Sequence, residues 1–130
     1  MDCPECGGET VAFSVPADLR EYLPGEESGA ALCTVCLALR PVADPPSDPP
    51  DFDRVSDGFP SNPDAAVPLA LLVGLLPSLV TNRAEISALL ERVERAGTDP
   101  LLALDRLAAD PEIDAGVDLR TRRRQLEQLL

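Results

Sequence analysis

The sequence predicts an α+β chain: a small antiparallel sheet at the N-terminus, then a small all-α helical bundle. Three observations predict it. Two Cys-x2-Cys pairs, at Cys3/Cys6 and Cys33/Cys36, bracket short β-prone runs. A Pro- and Asp-rich stretch with little apolar content follows. Beyond it, apolar residues recur at helical spacing between capping signals. The expected division is a cysteine-bearing domain over residues 1–42, a linker over 43–64 and a helical domain over 65–130.

In the first part, Thr10-Val11-Ala12-Phe13-Ser14-Val15 follows Gly7-Gly8 and is rich in β-formers, with partial alternation. Ala30-Ala31-Leu32 leads into the second cysteine pair and Leu37-Ala38-Leu39-Arg40 leaves it, giving two more short strands. Between them, residues 16–29 carry Leu19, Tyr22 and Leu23, which suits a helical turn packed on the sheet.

The cysteines carry the chemistry. Two residues between ligands let the chain turn so that both sulfurs face one ion, and Gly7 stands where a positive φ is often required. Two such turns supply four thiolates in a tetrahedron, the closed set of a structural zinc site, so Cys3, Cys6, Cys33 and Cys36 are the predicted ligands. The 26 residues between Cys6 and Cys33 exceed the usual interval and imply a long hairpin loop. So small a sheet buries little, and metal binding would contribute folding free energy on the order of 10 kcal/mol. Iron in the same four-cysteine set is the lesser alternative. Cys3-Pro4-Glu5-Cys6-Gly7 has the form of a rubredoxin knuckle, but Cys36 is followed by Leu37, not Gly, and aromatics make up only 3% of the chain. A redox Cys-x2-Cys normally comes with a βαβ pattern, which is missing here. The chain contains no His, which excludes His-based acid–base catalysis. It shows no phosphate-binding glycine loop, dinucleotide fingerprint or nucleophile–base pair. A non-enzymatic protein is expected.

Pro45-Pro46-Ser47-Asp48-Pro49-Pro50-Asp51 reads as an extended, semi-rigid spacer whose charges repel one another. Phe52, Val55 and Phe59 interrupt it with side chains that need somewhere to dock. Residues 65–80 are almost wholly apolar; Pro68 suits a first helical turn and Pro77 ends or kinks the segment. The run has 16 residues, two prolines and a glycine, against the roughly 20 apolar residues of a membrane span, so a buried central helix is expected. Thr81 or Asn82 caps the next helix, over 83–96, whose Ile86, Leu89, Leu90 and Val93 share one face and which Gly97 closes. Thr98-Asp99-Pro100 opens a helix over 101–109, which Pro111 stops. A last helix spans about 117–130, with Leu119, Leu126, Leu129 and Leu130.

Charge bounds the partners. There are 23 acids and 11 bases, a net charge of -12, and every base is Arg. Residues 1–64 carry 13 acids and 3 Arg; residues 65–130 carry 10 acids and 8 Arg. Nucleic-acid affinity comes largely from basic residues on phosphates, so such binding is not favoured. The one basic cluster is Arg120, Arg122, Arg123 and Arg124; on a helix Arg120, Arg123, Arg124 and Glu127 share a side. It is first a solvated face, or one paired with the acidic first half of the chain, and second a contact for RNA, DNA or an acidic partner. Met1-Asp2-Cys3-Pro4 opens no charged-then-apolar leader, and four thiols kept as ligands suit a reducing compartment, so a cytoplasmic protein is expected.

On these residues, 1–42 resemble the zinc ribbons of transcription, ribosomal and rubredoxin-like proteins. The whole chain, with acidic ribbon, Pro/Asp linker and helical tail, resembles small uncharacterised zinc-ribbon proteins of haloarchaea. The excess of acid without Lys is similar to proteins that work in concentrated salt, where self-repulsion is screened. The resemblance implies one structural zinc and no particular activity. The expected function is a zinc-stabilised adaptor or regulatory protein that binds another protein or itself. The alternatives are a nucleic-acid-associated factor in transcription or translation and, more weakly, a rubredoxin-like electron carrier.

Overall fold

The computed structural model describes residues 2–23 and 27–129. Three strands, β1 (Thr10–Ser14), β2 (Gly29–Cys33) and β3 (Leu39–Val42), are followed by four helices, α1 (Pro63–Leu75), α2 (Arg83–Arg95), α3 (Pro100–Ala109) and α4 (Leu119–Glu127). The α+β class and the order of its parts match the sequence reading.

The sheet is antiparallel in the order β1-β2-β3, with Phe13 opposite Ala30 and Leu32 opposite both Val11 and Leu39. Every residue of the central strand β2 is buried. Val11, Phe13, Ala30 and Leu32 alternate with their neighbours and join the core shared with the helices. The expected helical turn after β1 is a 3-10 turn, Ala17–Tyr22, with Leu19 and Leu23 buried. Arg92 of α2 donates to Asp18 of this turn at 2.6 Å and holds its carboxyl below the usual carboxylate range.

Most helices follow their sequence signals, but α1 runs over Pro63–Leu75 and not over 65–80, and Asn82, expected to cap α2, makes no side-chain cap bond and donates instead from Nδ2 to the Ser78 carbonyl. Residues 65–73 of α1 are all buried, as a helix apolar on every side requires. Asn62 caps it by accepting from the Asp64 amide, and Pro63 takes the first position. Pro68 therefore lies in the second turn, not the first as expected. Pro77 sits in a 3-10 turn, Leu76–Ser78, that ends the segment. In α2 the buried residues are Ile86, Leu89, Leu90 and Val93. Gly97 at φ +93 closes it: its amide donates to the Glu94 carbonyl and that of Thr98 to Val93, the paired bonds of a Schellman cap. Asp99 and Asp118 each accept two amides at the starts of α3 and α4. The Asp118 cap starts α4 two residues later than expected; Leu130 lies outside the described residues.

The main departure from expectation is the segment 43–64. Its proline run at 46–49 is exposed, but the segment is no simple spacer. Phe52, Val55 and Phe59 are buried. Phe52 meets Phe13 edge-on and stacks on Phe59, each pair at 5.1 Å between ring centres, so all three phenylalanines form one cluster. Pro45 folds over Gly29, where an added Cβ would lie 2.3 Å from it, and Gly58 leaves room for the backbone of α3. Burying three apolar side chains outweighs the extended preference of the flanking prolines.

The sheet meets the bundle through Gly74 of α1. A Cβ there would fall 2.6 Å from Leu39 of β3. Gly74→Ala is therefore expected to destabilise the fold by about 1–3 kcal/mol despite the better helix propensity of Ala, read as a lower denaturation midpoint. Gly116→Ala, where nothing lies within 4 Å, is expected to change stability by less than about 0.5 kcal/mol.

Candidate metal centre

Each cysteine pair lies in a turn at the end of the sheet, and the two turns have the same construction. The Cys3 amide donates to the Gly8 carbonyl at 2.7 Å and the Cys33 amide to the Ala38 carbonyl at 2.9 Å, five residues on in both. The fourth residue after the first cysteine takes a positive φ in both: Gly7 at +77 and Leu37 at +64. Gly7 was legible in the sequence; Leu37 was not. Left-handed backbone costs a leucine about 1 kcal/mol. Burying its side chain in the common core returns about 2 kcal/mol. The missing glycine thus does not make the second knuckle different in shape. Thr34 ties the turns together, since its amide and hydroxyl both donate to the Glu9 carbonyl, at 2.8 and 2.9 Å.

The structure brings all four predicted ligands together. Their sulfurs lie within 4.8 Å of one another. The Cys3–Cys36 separation is 3.7 Å and the Cys6–Cys33 separation 3.5 Å. A disulfide requires about 2.05 Å, whereas metal–sulfur bonds of about 2.3 Å in a tetrahedron place sulfurs about 3.8 Å apart. The set fits a four-coordinate metal. Cys3 and Cys33 are buried, Cys36 is half-buried and Cys6 is exposed.

Backbone amides point at the sulfurs, as thiolates need. Gly8 donates to Cys6, and Val35 and Cys36 donate to Cys33, each at 3.4 Å. The amides of Cys6 and Glu5 hold the Cys3 thiol down at about 7. Burial pushes Cys36 up to about 12. A bound cation reverses that second effect, because it stabilises the thiolate in place of the proton; metal uptake here displaces protons and weakens as pH falls.

What lies behind the second knuckle has no signature in residue type. The loop between α3 and α4 reaches back to it: the Asp114 amide donates to the Val35 carbonyl at 2.8 Å and that of Gly116 to the Cys36 carbonyl at 3.4 Å. The other predicted candidate, the arginine cluster, is away from these contacts on α4. Arg123 pairs with Asp105 of α3 and with Glu127. Arg122 donates to Gln125 and Arg124 to Thr121. Arg123 is paired internally, but with carboxylates of the helical part and not with the acidic first half.

Gly8 is the tightest point around the ligands. An added Cβ would lie 2.9 Å from Val35 and 3.1 and 3.2 Å from the sulfurs of Cys33 and Cys6. Gly8→Ala is expected to lower metal affinity by about tenfold or more, the scale of changes around metal ligands, measured by competition with a chromogenic chelator. Wild-type affinity in that variant would contradict the arrangement.

No curated protein and no solved structure matches this chain. A family model does match, over residues 2–130, and its description is a family of unknown function (DUF6276). The chain belongs to that family.

Proposed function

We propose that this protein is a non-enzymatic adaptor, folded around one zinc ion, that binds another protein in the cytoplasm. The observation that supports it most is the closure of the four-cysteine set. Four protein ligands fill a tetrahedral ion and leave no position for a substrate or an activated water. A metal enclosed in this way acts by holding surface in place. Here it holds the knuckles and, through the Val35 and Cys36 carbonyls, the loop that leads into α4. The absence of His from the chain agrees with a role other than acid–base catalysis. The acid excess suits a protein that stays dispersed in concentrated salt.

Zinc is favoured over iron on the scarcity of aromatics, since only three Phe and one Tyr are present and the Phe cluster lies in the common core with the helices. The nucleic-acid reading keeps one supporting observation: Arg122 and Arg124 hydrogen-bond neutral groups and so keep their charge uncompensated by those partners. The engagement of Arg123 by two carboxylates weakens the cluster as a phosphate site.

Purified protein is expected to be colourless and to contain one equivalent of zinc by elemental analysis. A red protein with iron would replace the adaptor reading with electron transfer. Capture of a partner from source cells is expected to survive nuclease treatment and the paired change Arg122→Ala, Arg124→Ala. Loss of capture in either case would favour the nucleic-acid reading.

A further inference from the structure

Beside the metal centre is a cleft of about 330 Å³ between the second knuckle, the end of α1 and the loop before α4. Leu37, Val73, Pro77 and Val117 give it apolar walls. Three groups with negative or thiolate character border it: Glu5, Cys6 and Cys36. Cys6 and Glu5 are exposed, so this is the side on which the centre faces solvent. Four thiolates around a divalent cation leave a formal charge of about -2 at the site. No arginine lines the cleft, although the chain contains 11 basic residues. Its negative border is therefore not neutralised by its own lining.

We infer that this cleft binds a long basic side chain, arginine above all, presented by a partner protein. Such a side chain combines an apolar stem with a cationic head. The stem matches the walls, and the head matches the carboxylate of Glu5 and the metal-bound sulfurs of Cys6 and Cys36. Guanidinium is preferred to ammonium because it is more weakly hydrated and presents several donors in a plane. A hydrocarbon group would leave the charged border unmatched, and an anionic group would be repelled by it. The outer wall depends on the metal, because the loop that carries Val117 is fastened by the Gly116 amide to the carbonyl of a ligand, Cys36. The inference rests on the adaptor reading and deepens it by naming the chemistry of the partner.

The test titrates full-length, zinc-loaded, 15N-labelled protein with n-butylguanidinium and, separately, with its neutral analogue n-butylurea, while zinc content is followed by elemental analysis. The expected result is saturable shifts with n-butylguanidinium at the amides of Cys6, Leu37, Gly116 and Val117, at constant zinc content. Binding of n-butylurea, and of n-butylguanidinium to Glu5→Gln, is expected to be weaker by about threefold, the scale of one exposed charge pair. Equal binding of the two probes overturns the inference. So do shifts that spread over Asp44, Asp48 and Asp51 without saturating at the cleft. A failed titration beside nuclease-resistant capture of a partner removes the cleft and leaves the adaptor reading; a saturable titration without any captured partner does the reverse.

Discussion

Four thiol sulfurs within 4.8 Å of one another repel once ionised, and a cation is what makes the arrangement favourable. The N-terminal sheet carries this set at its end. It has three strands of four or five residues, whose buried side chains belong to the core shared with the helices. Its ends are set by the two knuckles: β2 ends on Cys33, β3 begins two residues after the positive φ of Leu37, and Thr34 fastens one turn to the other through Glu9. The amides aimed at the sulfurs are then satisfied by the ligands themselves.

From this end the constraint passes into the helices by three routes. Gly74 lets α1 approach Leu39 of β3. The three phenylalanines join β1 to the segment 52–59, which rests against α3 at Gly58. The loop before α4 is fastened to the carbonyls of Val35 and Cys36. Each route uses either a missing side chain or a backbone bond, so the two parts approach without burying charge. The surface ion pairs that also cross between them, Arg92 with Asp18 and Arg54 with Glu9, are exposed and worth at most about 1 kcal/mol each.

Much of this was legible from local rules. The ligands follow from spacing, the α2 face from its 3.6-residue period, and the caps at Asp99 and Gly97 from residue type; the Asn62–Pro63 start of α1 falls inside the segment read as linker. What was not legible depends on distant partners. Composition makes 43–64 look like a spacer, because the Pro and Asp run dominates; Phe13, some forty positions earlier, together with Phe59 gives Phe52 a place to pack. Leu37 looks unsuited to a left-handed position until the core that receives its side chain is seen. The bonds from Asp114 and Gly116 use backbone groups, which leave no residue-type signature at all. The apolar side chains of the helices are mostly absorbed internally; among the described residues Val80 and Leu102 remain as exposed large hydrophobics.

Metal bound at the four cysteines would organise the sheet and, through it, the contacts that reach the helices. Amide hydrogen exchange on metal-loaded and chelator-treated protein tests this dependence. Chelation is expected to remove protection from the β1–β2 pairing, at Val11 and Leu32, and from the Asp114 and Gly116 amides together. Unchanged protection at those four amides in metal-free protein would contradict it.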